Sequence, residues 1–517
     1  MQWVPQGIEL AADILSRIQG TVLVYYDPDV DGVYSGKFVC SVLDMYKIPY
    51  ERYINQNRQH GFFYPDVSKL RNRTVIAVDF SIPSEKLQIL AQNNVRLINI
   101  DHHAIEDNKL VTYTCPNSNK IDGVVINNQY SFEPESKRYL SGAGVVFYVF
   151  ANLVKGFDCE LSRALVGLTL LSDIRPIENK EAEVFLRACY TCKHPYMTYL
   201  VNITKAEKDY SFGVPRMERN YIDYTFSPKL NALFRLNMGD VAMDLVDGKP
   251  PKFKLDEAKK IQSQVVDYIQ QKIVSPFNTN NLLDPSKPGV LRQPRSFIKP
   301  DGTEGVQFVL SLSDLDIFFM PNEEISPTYK LSNFIGLTCS RLKGNGKSTV
   351  AYIGSNVYLD RGSFRGRFDN INYLELFGKY GFPNCAGHHG AFGINTADIR
   401  ITDFVGLNAE IAELEREAEK QEYANRIVPV SNLAMFVHSD ILKQMAMTNL
   451  YVRDGFRMLI QYTGTNASRH KVGKMFEFNI DGITVKCFDD NITTQNGYIL
   501  PIYDRGVLTF YLKNIRK

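Results

Sequence analysis

The sequence predicts an α/β protein of several domains, on three observations. Between Gly20 and Ser172 short apolar runs alternate with helical stretches, three of those runs end on an aspartate, and 517 residues exceed what one hydrophobic core usually supports. The runs are TVLVYYD, TVIAVDF and VRLINID, with a helix expected through Lys37 to Tyr46 after the first. Such alternation argues a parallel sheet flanked by helices. Ligands of open α/β sheets bind outside the carboxyl ends of the strands, so Asp27, Asp79 and Asp101 are expected at one crevice.

Further along, the chain turns helical after Leu161, and Leu255 to Val274 reads as one long polar connector helix. A Pro-rich, polar stretch from Asn280 to Asp301 precedes a strand-rich region from Val306 to about Arg400, read as a second, smaller α/β domain. The segment AEIAELEREAEKQEY, near Leu407 to Tyr423, has alternating charge and a narrow apolar stripe, as a solvated spacer helix would. From Arg426 to Lys517 short strands separated by turns predict a β-rich, OB-like domain. The expected divisions are 1–250, a connector over 251–280, 281–402, a linker helix over 403–425, and 426–517.

Composition sets limits. Hydrophobic residues are 44% and charged residues 22%, near the globular average. Lys plus Arg number 59 against 57 Asp plus Glu, so any surface for nucleic acid must be local. The last domain is such a place: it carries 12 Lys plus Arg against 7 Asp plus Glu, with 11 Phe or Tyr, and basic charge interleaved with aromatics suits a strand-tracking surface. An ordinary β-core with a mildly basic exterior is the alternative. Eight cysteines without regular spacing suggest reduced thiols, and neither a leader nor a long apolar run is present, so a cytoplasmic protein without a membrane span is expected.

Asp27-Pro-Asp29-Val-Asp31-Gly32 follows an apolar strand and places three carboxylates on one turn. Acids this dense repel one another unless cations sit between them. A calcium loop would need a Glu six residues after its Gly, where Phe38 stands. Asp101-His102-His103 caps another strand, Asp79 ends the one between, and Asp173 follows the run VGLTLLS. Mixed carboxylate and imidazole donors without thiolate favour Mn²⁺ or Mg²⁺.

At this point the sequence resembles the DHH phosphoesterase superfamily, and within it the RecJ-like single-strand exonucleases. YDPDVDGVYSG, VDF, DHH and LLSDIRPIEN are similar to its four ordered motifs. INQNRQHGF resembles the asparagine-arginine loop of RecJ, YLSGAGVVF its SGAGV helix start, SPKLNALFRL its P-x-x-N-A-x-x-R helix, IGLTCSRL its ASRL turn, DRGSFRG its GSxR strand and CAGHHGAFG its GGH loop. Departures are the absence of a tryptophan segment before IGLTCSRL, Gly366 where Ser is common, and Ala386-Gly387 in place of a glycine pair.

The resemblance implies a two-ion Mn²⁺ or Mg²⁺ centre held by Asp29, Asp31, Asp79, His102 and Asp173, with Asp79 bridging and Asp27 as an additional ligand. Asp101 would orient His102, leaving His103 to act on the scissile phosphate or the leaving oxygen. Arg58, Asn231, Arg235, Arg341, Ser363, Arg365 and His388 would line the substrate cleft, where guanidinium groups suit phosphate. The activity implied is 5′-to-3′ degradation of single-stranded DNA to mononucleotides in recombination, repair or replication, by a monomer. Phosphodiesterase action on short oligonucleotides or cyclic dinucleotides, and a non-catalytic replication scaffold, are the alternatives.

Two further signals carry little. Gly344 to Thr349 looks like the end of a Walker A loop, but Arg341 stands where its first Gly belongs and STVAYIG reads as a strand. Cys189 and Cys192 with His194 lack the second cysteine pair that a zinc site needs.

Overall fold

The computed structural model describes residues 3–105, 108–173, 175, 180–204, 217, 219–250, 252–268, 295–298, 304–311, 315–321, 326, 328–342, 348–354, 359–368, 371–382, 385–394, 401–424, 427–437, 459–472, 475–487, 497–504 and 507–514. The chain divides into two units, one holding most of residues 1–412 and the other built mainly of 413–517.

The first sheet contains β1 (Val22–Tyr26), β2 (Tyr50–Ile54), β3 (Thr74–Val78), β4 (Arg96–Asp101), β5 (Thr112–Tyr113) and β6 (Gly123–Asn127), in the order β2-β1-β3-β4-β6-β5. All neighbours are parallel except the short edge pair β5 and β6. Every residue of β1 and β3 is buried, as expected where helices cover both faces. One face packs Tyr25, Val75, Ala77 and Leu97 with Leu87 and Leu90 of α3 (Ser84–Gln92). Helix α2 (Val30–Met45) packs against α4 (Gly142–Leu153) and α5 (Glu160–Ser172), with α1 being Ile8–Ser16. The order reverses at β1, whose two neighbours β2 and β3 come later in the chain. That is a topological switch point, where α/β sheets open a crevice.

The predicted helix after TVLVYYD forms as α2, starting seven residues earlier than Lys37 because Asp29 caps it. The connector helix is seen over Leu255–Tyr268; 269–274, and most of the polar stretch after it, lie outside the described residues. A second sheet follows, in the order β12-β13-β11-β10-β9-β8-β7, built from β7 (Arg295–Ile298), β8 (Glu304–Ser311), β9 (Leu315–Pro321), β10 (Ser348–Gly354), β11 (Leu359–Arg365), β12 (Cys385–His388) and β13 (Ala391–Ile394). IGLTCSRL is a helix, Ile335–Leu342, and not a turn. Ile335, Thr338 and Cys339 are its buried residues, a helical spacing. STVAYIG is strand β10, as expected, while the Gly-rich loop before it lies outside the described residues.

The spacer helix spans Ile401–Ala424. The second unit holds a seven-stranded sheet, β14-β15-β19-β20-β18-β17-β16, with β14 (Ile427–Val430), β15 (Leu459–Tyr462), β16 (Ala467–Val472), β17 (Met475–Ile480), β18 (Ile483–Cys487), β19 (Gly497–Asp504) and β20 (Val507–Asn514). Two of its pairs, β14 with β15 and β18 with β20, are parallel. Its core gathers Leu433, Ile460, Ile480, Val485, Ile499 and Leu512. All eight cysteines are free thiols. Among the described residues no helix is long and apolar enough to cross a membrane.

Candidate metal centre

Strand register brings the acids together. Tyr26 pairs with Val78, and Val78 with Ile100, so the next residues, Asp27, Asp79 and Asp101, stand level at the end of the sheet. Asp79 has a left-handed backbone, φ 68°, a conformation that Asp and Asn tolerate better than most residues. Its N–H still donates to Ile100 O at 2.9 Å, so the ladder ends at this residue.

Asp29 caps α2, accepting the Gly32 N–H at 3.0 Å. Asp31, in the first turn, is gripped from the opposite side. The N–H groups of Gly142 and Ala143 at the start of α4 donate to its Oδ2 at 2.6 Å and Oδ1 at 3.0 Å. That is why a SGAG segment belongs here: Ser141 caps the helix, and the missing side chain of Gly142 lets Asp79 approach, since a Cβ would lie well inside 3.0 Å of Asp79 Oδ1. Asp173 enters from the C-terminal cap of α5.

Potential metal donors fall in three groups, each with one donor atom per residue and all within 4.8 Å: Asp31, His102 and Asp173; Asp79, His102 and His103, which shares His102 with the first; and Asp27, Asp29 and His60. His102 Nε2 lies 3.0 Å from Asp79 Oδ1 and 3.8 Å from both Asp31 Oδ2 and Asp173 Oδ2. Asp29, Asp31, Asp79, His102 and Asp173 are thus brought together, with Asp27 alongside. His60 was not anticipated; its position in the same loop as the expected Arg58 was the signal available.

Electrostatics supports a cation in this place. Burial, then Asp173 and Asp29, pushes Asp31 up to about 7 despite its two helix N–H bonds. Burial and the surrounding carboxylates Asp31, Asp29, Asp27 and Asp173 raise Asp79 well above the usual range. Burial, then His103, holds His102 low, so its imidazole is neutral and ligand-competent. Oδ1 of Asp27 and Oδ1 of Asp79 are buried without a hydrogen-bond partner among the described residues. Orphaned carboxylate oxygens facing neutral imidazole are a donor set that a divalent ion satisfies.

Asp101 does not orient His102. Its Oδ1 bonds His103 instead, through Nδ1 at 2.7 Å and the backbone N–H at 3.2 Å. The side chain two residues on returns to the carboxylate, a local loop that a DHH triplet read linearly does not reveal. Ser81 Oγ donates to Asp101 Oδ2 at 2.8 Å, and Asn127 Nδ2 to the His103 carbonyl at 3.0 Å, two supports the sequence reading missed. Burial alone would lower His103, but Asp101 overrides it and raises His103 to about 9.

Beside the carboxylates lies a basic recess. Arg58, from the loop after β2, Arg235, from the helix Ser227–Arg235, and Arg365, at the end of β11, are close enough to repel. Burial, then Arg58 and Arg365, depresses Arg235 far below its ordinary value; burial also lowers Arg58, against the pull of Asp29 and Asp27. Nε of Arg58 and of Arg235 is buried without a hydrogen-bond partner, and among the described residues no carboxylate lies within ion-pair distance of the three. Gln262 Oε1 accepts from Arg235 Nη1 at 2.7 Å, and Ser363 Oγ from Arg365 Nη1 at 2.9 Å. Oδ1 of Asn231, on the Arg235 helix, is likewise buried and unsatisfied. Arg341, next to the Ser340 that accepts from Arg365 Nε at 3.0 Å, is exposed, with Nη1 2.6 Å from Asp267 Oδ1. His388 closes β12, and its side chain lies outside the described residues.

Residues 21–172, which carry β1, β3, β4 and all but the last of the aspartates, match the family described as DHH family, N-terminal domain. The whole chain shares its fold with RecJ from Thermus thermophilus solved with Mn²⁺, at a TM-score of 0.63 and 16% identity, covering 100% of this chain and 72% of that one. The same protein solved with Mg²⁺ gives 0.60 at 14% identity, with coverage of 100% and 70%. An exonuclease RecJ bound to manganese gives 0.51 at 16% identity over 80% of this chain and 96% of that one. Likeness at such identity is one of fold. No curated protein matches the chain in sequence. The family match thus covers residues 21–172, and the likeness of fold to RecJ extends past that stretch to the rest of the chain.

Proposed function

We propose that this chain is a metal-dependent 5′-to-3′ exonuclease that releases mononucleotides from single-stranded DNA. The observation that carries the reading is adjacency: a cluster of carboxylates with a neutral imidazole stands beside three guanidinium groups that lack a carboxylate partner among the described residues. Scissile phosphate needs the first, and a neighbouring or terminal phosphate the second. The RecJ fold, seen in proteins solved with Mn²⁺ and Mg²⁺, supports it.

Two divalent ions would be held by these donor sets, one by Asp31, His102 and Asp173 and one by Asp27 and Asp29, with Asp79 as a further ligand. Bound there, they would supply an activated water and neutralise charge on the attacking and leaving oxygens. The chain's own residues do the rest. Helix α4 holds Asp31 in place through two N–H groups, which partly offset the cost of its charge. Asp101 keeps His103 protonated through Nδ1, so Nε2 can donate to a phosphate oxygen or to the leaving oxygen. Arg58, Arg235 and Arg365, supported by Gln262 and Ser363, bind a 5′-phosphate and so fix polarity.

The division of the chain follows the same reading: a catalytic region over 1–250, a connector over 251–280, a substrate-binding region over 281–402, and, beyond the linker over 403–425, a module at 426–517 that tracks longer strands as a monomeric enzyme works along them. OB-like describes that module's role better than its strand count, since seven strands exceed the five of an OB barrel. On the β16 and β17 hairpin Arg469 stacks over Phe476 at 3.8 Å, the basic and aromatic pairing such a surface uses.

Incubation of the full chain with Mn²⁺ and 5′- or 3′-labelled single strands tests the proposal. Labelled mononucleotide should appear first from the 5′ label. Release only from dinucleotides or cyclic dinucleotides would favour the short-substrate reading, and no turnover of any of these would favour a scaffold.

A further inference from the structure

The cluster of Asp27, Asp29 and His60 is built from two segments, the end of β1 and the loop between β2 and Phe62. Asp27 is 2% exposed, its Oδ2 contacts His60 Nδ1, and its Oδ1 has no hydrogen-bond partner among the described residues. An exposed histidine reaching a buried carboxylate needs a rigid loop, and this loop is tied down. Asn55 Nδ2 donates to the carbonyls of Gln59 and Gly61, each at 2.7 Å, on both sides of His60. The Tyr25 hydroxyl bonds Asn55 Oδ1 and accepts from the Phe63 N–H at 2.8 Å. Tyr25 stands on β1 two residues before Asp27, which follows the strand's last residue, so one anchor fixes both partners. Arg58 in that loop has a left-handed backbone, φ 48°, held by the same ties.

We infer that His60 is a metal ligand, giving an imidazole nitrogen to the ion held by Asp27 and Asp29 and biasing that position toward Mn²⁺ and other first-row ions over Mg²⁺. The inference deepens the proposed function and rests on its reading of the cluster as a divalent metal centre. Carboxylate and water alone suit Mg²⁺, whereas imidazole adds affinity along the first transition row. With Asp29 and Asp27 facing Arg58 as well, ion and phosphate grip share one loop.

The test is made without substrate. Full-length protein labelled with ¹⁵N-histidine is loaded with Mn²⁺, and imidazole nitrogen couplings are read by pulsed electron paramagnetic resonance, alongside calorimetric titrations with Mn²⁺ and with Mg²⁺. Wild type should show couplings from two imidazoles. His60→Gln should lose one, with Mn²⁺ affinity at one site falling on the order of 10-fold or more and Mg²⁺ affinity falling less. His102→Gln, the control, should lose the other. Unchanged couplings and unchanged Mn²⁺ affinity in His60→Gln would overturn the inference alone, leaving His60 as an ion-pair partner of Asp27. No Mn²⁺ binding by wild type would overturn both this inference and the metal-dependent reading. Two-imidazole binding by a chain that cleaves nothing sinks only the nuclease.

Discussion

The backbone N–H of Gly142 donates to Asp31 Oδ2 at 2.6 Å, while the bare α-carbon of the same glycine leaves just enough room for Asp79. One residue therefore serves two carboxylates, by what it donates and by what it lacks.

Gly142→Ala is expected to disable the centre without unfolding the chain. The added methyl would collide with Asp79 Oδ1, and a misplacement near 1 Å typically costs about 100-fold in rate. Nuclease assays should show a loss of that order, with a circular dichroism spectrum like wild type. Activity within a few-fold of wild type would show that Asp79 need not sit where it does.

Asp79→Asn should stabilise the metal-free protein while removing its function. Asn keeps the shape and tolerates the left-handed backbone, and it relieves repulsion among buried acids. In EDTA the variant should melt higher, by on the order of 2–4 °C for each kcal/mol gained. Mn²⁺ should raise the melting temperature of wild type, as expected for a ligand bound to the native state, and leave the variant nearly unmoved. Equal Mn²⁺ stabilisation of both proteins would count against Asp79 as a ligand.

Arg235→Ala should discriminate between strand ends. Loss of a charge-assisted phosphate contact is worth about 1.5–3 kcal/mol, roughly 10- to 100-fold. KM for a 5′-phosphorylated strand should rise by that factor, with little change for a 5′-hydroxyl strand. An equal rise for both would move the recess to an internal phosphate.

Gly366→Ser, which restores the residue common in the resembling family, should destabilise this chain. A Cβ there would overlap the Tyr373 ring, and overpacking of this kind costs about 1–3 kcal/mol. Urea denaturation should register the loss, and Tyr373→Leu in the same chain should recover part of it.

Much of the site was legible because strand ends are local signals. TVLVYYD and TVIAVDF state where a buried strand stops, and parallel register then brings Asp27 and Asp79 level without further information. Asp173 was marked by the apolar run before it, which is helix α5, and the SGAG helix start by its resemblance to a family motif. What did not show was which side chain turns toward which. Asp101 pairs with His103 because of the geometry of one turn, and His60 reaches Asp27 through a loop tied by Asn55 and Tyr25. Arg341, on a matching motif, pairs with Asp267, which the motif does not foretell. Helix and turn were confused at IGLTCSRL because eight residues hold barely two turns of periodicity.

Arg365 ends a strand of the second sheet, whereas Arg58 stands in a loop of the first, some three hundred residues earlier. During synthesis the acidic pocket is specified once Asp173 has emerged, but its positive neighbour remains unfinished until β11 docks. A nascent chain would thus complete its carboxylate cluster long before its guanidinium recess.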